Sequence, residues 1–239
     1  MDTDTYRLEI TSGRKTTVRS DHPRNTQPLG LMLLAHGLNN HLDNPLLLAV
    51  ARQVTELGLV AVRFNFLFRE AGLDQADDTD ILLACWRKVY EHSLARWSME
   101  PAQTVVGGKS LGARITALAV GQGAGAAGLV HLGFPLHPPE RPDLSRAALL
   151  QGVGPKPQLF FAGTRDHLCP LETLRLALSE LPGPAHLHII DGGDHSFRLP
   201  EGVPRTEAAI HDEIASQTCQ WLCSVLTTLK ANCGPSPAS

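Results

Sequence analysis

The stretch TVVGGKSLGARITALAV, residues 104–120, decides how the rest of the chain is read. The β-branched run Thr104-Val105-Val106 enters a glycine pair. Lys109 and Ser110 follow, and an alanine- and leucine-rich segment comes after. Two readings compete for GGKS. It is either the end of a phosphate-cradling loop or the sharp turn that presents a nucleophilic serine.

A phosphate loop needs G-x-x-x-x-G-K-[ST], whose open run of amides wraps the phosphates. The place of the first glycine is held here by Gln103, and the residues between belong to a strand. The other template, G-x-S-x-G, fits as Gly108-Lys109-Ser110-Leu111-Gly112. A serine held in a strained strand-to-helix turn leaves no room for side chains two residues before or after it, hence Gly108 and Gly112. The following helix directs its positive end at the site, which favours an oxyanion. In this reading Lys109 is the variable position of the turn and faces solvent.

A serine nucleophile needs a base and an acid to orient that base. In chain order the acid comes first and the histidine second, each just past a later strand. The run FFAGTRDHLCP offers Asp166, and IIDGGDHSF offers His195. The plainer alternatives are a helix-capping Asp166 ahead of PLETLRL and an ordinary loop His195. Asp191 and Asp194 are rival acids. Asp194 adjoins His195, so its side chain diverges and is expected to brace the loop. Two backbone amides should complete an oxyanion hole. Leu111 supplies one. The segment His36-Gly37-Leu38-Asn39 supplies the other, with Leu38 first and Asn39 next, and His36, Gly37 and Asn39 are candidates to line the pocket.

Around this turn, apolar runs alternate with amphipathic stretches. LGLMLLAHG, LVAVRFNF, AQTVVGG, AGLVHLGFP, PKPQLFFAGTRD and AHLHIIDGGDH read as strands, and YRLEI and KTTVRS as an antiparallel edge pair joined at Ser12-Gly13. NPLLLAVARQVTELG carries Asn44 as N-cap, Pro45 at the first helical position and Gly58 past the end. Further helices are expected over ADDTDILLACWRKVYEHSLARW, KSLGARITALAVGQG, LETLRLALSEL and TEAAIHDEIASQTCQWLCSVLTTLK. The last has Ile210, Ile214, Trp221, Val225 and Leu229 on one face. Such alternation predicts about eight strands in a mostly parallel sheet covered on both sides. Residues 135–157, rich in proline, break the rhythm but are too short for a lid domain. One domain is expected over 1–230, with a disordered tail over 231–239.

Bulk composition agrees with a globular chain. Of 239 residues 43% are hydrophobic and 19% charged, enough apolar material for a sizeable core. A net charge of -3 without a basic stripe implies no nucleic-acid partner. The acidic start MDTDTYRLEI is not a secretory leader, and no apolar run nears the roughly 18 residues a membrane helix needs. A cytoplasmic protein without membrane attachment is expected, and its five cysteines are expected to be free thiols. The eleven histidines show no H-E-x-x-H or Cys/His spacing, so neither metal nor other cofactor is expected.

The pieces LLAHG, VAVRFNF, GGKSLGAR, GLVHLGFPLHPP and DGGDHSF together resemble the α/β-hydrolase superfamily over most of residues 30–200. More narrowly they resemble the branch related to dienelactone hydrolases that includes the Tex-type protein and the NSL-complex regulatory subunit. The resemblance implies an α/β-hydrolase fold, a three-layer sandwich around an eight-stranded, mostly parallel sheet with minimal cap. It implies Ser110 as nucleophile, Asp166 as acid and His195 as base. One departure is visible: relatives carry a small residue soon after the His-Gly pair, where Leu38 and Asn39 stand here. The expected activity is a serine hydrolase acting on a carboxylic ester or thioester, with a small acyl compound as partner. The alternative is a protein-interaction module that keeps the fold without the catalysis, as in relatives that act within chromatin assemblies.

Overall fold

The computed structural model describes residues 1–226. Leu229 and the tail 231–239 lie outside the described residues. The chain opens with β1 (Asp2–Thr11) and β2 (Arg14–His22), an antiparallel pair closed at Ser12-Gly13, where Gly13 takes φ +76°. Then come β3 (Leu31–Ala35), β4 (Val60–Phe64), β5 (Thr104–Lys109), β6 (Gly128–Leu132), β7 (Gln158–Gly163) and β8 (Ala185–Ile190). They form one eight-stranded sheet in the order β1-β2-β4-β3-β5-β6-β7-β8. Every pair from β4 to β8 is parallel, and only β1 and β2 run against their neighbours.

The uniform hydrophobicity of the central strands follows from burial on both faces. In β3, Leu31, Leu33 and Ala35 enter one core while Met32 and Leu34 enter the other. The second core is closed by α1 (Pro45–Glu56) and α7 (Glu207–Val225). The first is closed by α3 (Thr79–Trp97), α4 (Leu111–Gly121) and α6 (Leu171–Ser179), with the short helices α2 (Leu67–Glu70) and α5 (Ala147–Gln151). The helix signals of the sequence hold where they are local. Asn44 accepts hydrogen bonds from the Leu46 and Leu47 amides, and Gly58 takes φ +103° after α1. Such a cap is worth about 1 kcal/mol. The sequence pattern did not announce α2 and α5, because four or five residues are too few to show a helical period.

Strand register brings the loop-borne residues together. Ala35 pairs with Gly108, Lys109 with Leu132, and Gly163 with Ile190. The exits of β3, β5, β6, β7 and β8 therefore share one edge of the sheet, where open α/β sheets bind ligands. Among the described residues no helix is long and apolar enough to cross a membrane. Cys85, Cys169 and Cys219 are free thiols, but Cys223 is disulfide-bonded, which corrects the expectation of free thiols throughout. Cys233 lies outside the described residues.

Candidate active site

The turn at the end of β5 is as tight as its glycines require. Ser110 sits at φ +51°, ψ −112°, a conformation non-glycine residues seldom adopt. A Cβ on Gly108 would lie 2.7 Å from the Ala35 carbonyl oxygen, and one on Gly112 would lie 2.3 Å from the same atom. Both contacts are with backbone, so no side-chain movement could relieve them. The Ser110 amide donates to the Leu132 carbonyl at 3.1 Å, which ties the turn to the exit of β6.

Asp166 and His195, far apart in the chain, converge on that serine. The loop after β7 carries Asp166, whose side chain is fully enclosed. Its Oδ1 accepts from the Leu168 amide at 2.9 Å, which fixes the carboxylate plane. His195, in the loop after β8, places Nδ1 at 2.8 Å from Asp166 Oδ2 and 3.0 Å from Oδ1. Its Nε2 lies 2.8 Å from Ser110 Oγ. A carboxylate accepts, so Nδ1 carries the proton and Nε2 is free to accept from the serine hydroxyl.

The rival acids take other work. Asp194 accepts from the Ser196 amide at 2.7 Å and the Arg198 amide at 2.9 Å, bracing the loop as the sequence suggested. Asp191 accepts from the Thr164 hydroxyl on the exposed rim. Gly37 brings the exit of β3 against the turn: a Cβ there would stand 3.5 Å from Ser110 Cβ. The Leu38, Asn39 and Leu111 amides donate to no acceptor among the described residues. His36 has no exposure and lines nothing open. Its Nδ1 donates to the Gly37 carbonyl at 2.7 Å, and its Nε2 accepts from the Phe66 amide at 2.9 Å. Burial pushes its pKa down to about 4, so the ring stays neutral while clamping the exit of β3 to that of β4.

Lys109 departs most from expectation. It does not face solvent: it is 5% exposed, and its Nζ donates to the His195 carbonyl at 3.4 Å, with the Phe197 ring 6.0 Å away. Burial pushes its pKa down to about 8, against the pull of Asp166 and Asp194. The turn rotates its neighbours so that Ser110 points out and Lys109 points in. Strand alternation alone carries that signal: residues on either side of an outward side chain face the opposite way. Among the described residues no group of three or more His, Cys, Asp or Glu side chains is placed to hold a metal ion.

An eight-stranded, mostly parallel sheet with a serine in a strained turn after β5 defines the α/β-hydrolase superfamily, and the sequence comparisons agree. The chain belongs to the family described as alpha/beta hydrolase domain, whose model matches residues 29–223. Among solved structures it is similar to the esterase domain of a Rhodothermus marinus protein, 16% identical with a TM-score of 0.72, covering 95% of this chain and 100% of that one. It is also similar to dienelactone hydrolase from Anabaena variabilis, 21% identical with a TM-score of 0.68, covering 94% and 99%. An alpha-beta serine hydrolase homologue from Coxiella burnetii is 19% identical with a TM-score of 0.69, covering 94% and 97%. Among curated proteins, one of Mycobacterium tuberculosis named a putative phosphoribosyl transferase is 26% identical over 214 residues, 89% of this chain. The chain spans only 43% of that protein's length.

Proposed function

We propose that this chain is a serine hydrolase that cleaves a carboxylic ester or thioester through an acyl-enzyme intermediate. The observation that carries this reading is the continuous hydrogen-bonded line from Asp166 through His195 to Ser110, ending at a serine held in a strained turn. The Ser110 oxygen attacks the acyl carbon while His195 Nε2 takes its proton. Asp166 holds the ring in the tautomer that permits this and stabilises the imidazolium that forms. The Leu111 amide and one amide of the Leu38-Asn39 pair receive the oxyanion, each such donor being worth on the order of 100-fold or more in rate. His195 then protonates the leaving group, water enters by the same base, and the acid is released. Every step uses this chain's own groups. The esterase and dienelactone hydrolase among its structural neighbours support an ester-like substrate.

The test is covalent. A fluorophosphonate probe should label the folded wild type and leave Ser110→Ala unlabelled. Hydrolysis of short p-nitrophenyl esters should fall by about 10⁴-fold or more in Ser110→Ala, while circular dichroism stays unchanged. Labelling or turnover that survives the substitution would move the nucleophile elsewhere.

A further inference from the structure

The stretch RFNFLFRE, residues 63–70, leaves β4 and turns into α2. Arg63, Asn65, Phe66 and Arg69 of this stretch all hydrogen-bond the loop 36–44, which follows β3. At Gly37 that loop comes against Ser110, a Cβ there standing 3.5 Å from Ser110 Cβ. Arg63 donates to the Leu42 carbonyl at 2.8 Å, and Asn65 Oδ1 accepts from the Leu42 amide at 2.8 Å, so the far end of the loop is held. The Phe66 amide donates to His36 Nε2 and holds its start. Arg69 reaches the middle, where its guanidinium donates to the Leu38 carbonyl at 2.8 Å. Among the described residues, Arg69 is the one group outside the loop that hydrogen-bonds the backbone of residues 38–41.

The contact matters because of peptide geometry. In a trans peptide the C=O and the N–H point opposite ways, and no peptide bond among the described residues is cis. Whatever holds the Gly37 carbonyl therefore aims the Leu38 N–H, and whatever holds the Leu38 carbonyl aims the Asn39 N–H. The Gly37 carbonyl accepts from His36 Nδ1 at 2.7 Å and from the Asn40 amide at 3.2 Å, both within the loop. The Leu38 carbonyl has Arg69. A cation on a peptide oxygen also polarises that peptide and makes its N–H a stronger donor.

Arg69 is itself well anchored. Its side chain is 20% exposed, its guanidinium carbon lies 5.6 Å from the centre of the Phe68 ring, and its Nε is buried. Its carboxylate partner, Asp74, is 96% exposed, so that ion pair contributes little in water. The next residue, Glu70, accepts from the Asn65 side chain at 2.8 Å and from the Thr17 amide at 3.0 Å, which fastens α2 to β2. Leu38 and Asn39, by contrast, are exposed. An exposed loop tip with few contacts opens easily unless something ties it down.

We infer that Arg69 is a positioning residue for the oxyanion hole: through the Leu38 carbonyl it fixes the peptide unit that offers the Asn39 amide and, with it, the neighbouring Leu38 amide. The inference rests on the hydrolase reading for the reaction that the hole serves, but the rigidity it assigns to the loop is a property of the folded chain alone. Arg69 acts through the loop and not on the reacting atoms. Its loss therefore costs transition-state stabilisation and leaves substrate binding alone.

Two measurements test it. With p-nitrophenyl acetate at about pH 7.5, kcat should fall by about tenfold or more in Arg69→Met, while KM stays within about twofold of wild type. Arg69→Lys, which keeps a charged donor, should recover part of the loss. An unchanged kcat in Arg69→Met, or a loss carried by KM alone, overturns the inference. The second measurement needs no turnover. Backbone amide NMR relaxation should give Leu38 and Asn39 the order parameters of rigid backbone, about 0.85, in the wild type, falling below about 0.6 in Arg69→Met. The amides of α4 should stay rigid in both proteins. Loop amides already mobile in the wild type, equally rigid in the variant, or loosened together with α4 overturn it. Where Arg69→Met does not fold, Arg69→Gln is measured in the same two ways. A wild type that neither takes a fluorophosphonate nor turns over ester sinks the hydrolase reading, and the relaxation data still judge Arg69.

Discussion

Arg63 on β4 and Lys109 on β5 are both buried cations, separated in the sheet by β3 alone. Their surroundings differ sharply. Arg63 donates to Asp21 at 2.6 Å, to Asp43 at 3.1 Å and to the Leu42 carbonyl at 2.8 Å. Asp43 also binds Arg19. The cluster fastens the antiparallel strand β2 to β4 and to the loop that enters α1, and a cleft of about 700 Å³ lined in part by Arg19, Asp21, Arg63 and His211 opens beside it. None of Ser110, Asp166 and His195 lines that cleft. Lys109 has one long hydrogen bond, to the His195 backbone, and no ion pair among the described residues. A buried charge held between two carboxylates fixes structure in place. One left underpaired beside titrating groups is what functional sites accumulate.

The contrast predicts opposite outcomes for matched substitutions. Arg63→Met leaves Asp21, 4% exposed, without its partner. Breaking a buried pair from one side costs about 3–5 kcal/mol, so urea unfolding at pH 7 should show a loss of that size. A loss below about 1 kcal/mol would make the cluster equivalent to a surface ion pair and dissolve the comparison.

Lys109→Met should behave the other way. It removes a charge that burial penalises, and a shift from the ordinary 10.5 to about 8 corresponds to about 3 kcal/mol. Unfolding at pH 7 should therefore show unchanged or increased stability, by up to about 3 kcal/mol. Activity should move in the opposite sense, since the Nζ contact with the His195 carbonyl helps to set the imidazole over Ser110. A misplaced base at unchanged fold stability should lower kcat/KM by about tenfold. If stability and activity both fall, Lys109 is a structural ion like Arg63.

Much of the architecture is local and readable in the sequence: two-sided burial writes itself as continuous apolar runs, and Asn44, Pro45 and Gly58 mark the ends of a helix. The serine turn is readable because two glycines are the only residues its backbone contacts tolerate. Asp166 and His195 come from template order plus strand ends, and the distances bring both onto Ser110. The two buried cations are harder to read. A short pattern treats the position of Lys109 as free, whereas the pleat forces it inward once Ser110 points out. In sequence Arg63 is simply part of a strand, because its partners Asp21 and Asp43 lie in other elements. Nothing in VAVRFNF announces a buried ion cluster.

The smallest expected effect bears most directly on Lys109. A lysine held at about 8 when folded, against 10.5 unfolded, gives up its proton more readily in the native state. Between those values the unfolded chain carries more protons, so this residue makes stability rise with pH over that window and contributes no slope well below it. Buried thiols act against it. Burial raises the pKa of Cys85, Cys169 and Cys219, so their contribution falls as pH climbs past the ordinary thiol value of 9.0. The raw curve mixes the two, but the difference between wild type and Lys109→Met cancels the thiols. That difference, from urea unfolding at pH 7 and pH 9, should shift in the wild type's favour by about 1 kcal/mol. A difference flat across those two pH values would mean that Lys109 titrates alike folded and unfolded. It would then be a cation whose hydration the fold replaces, and the distinction between it and Arg63 would be one of geometry rather than of charge.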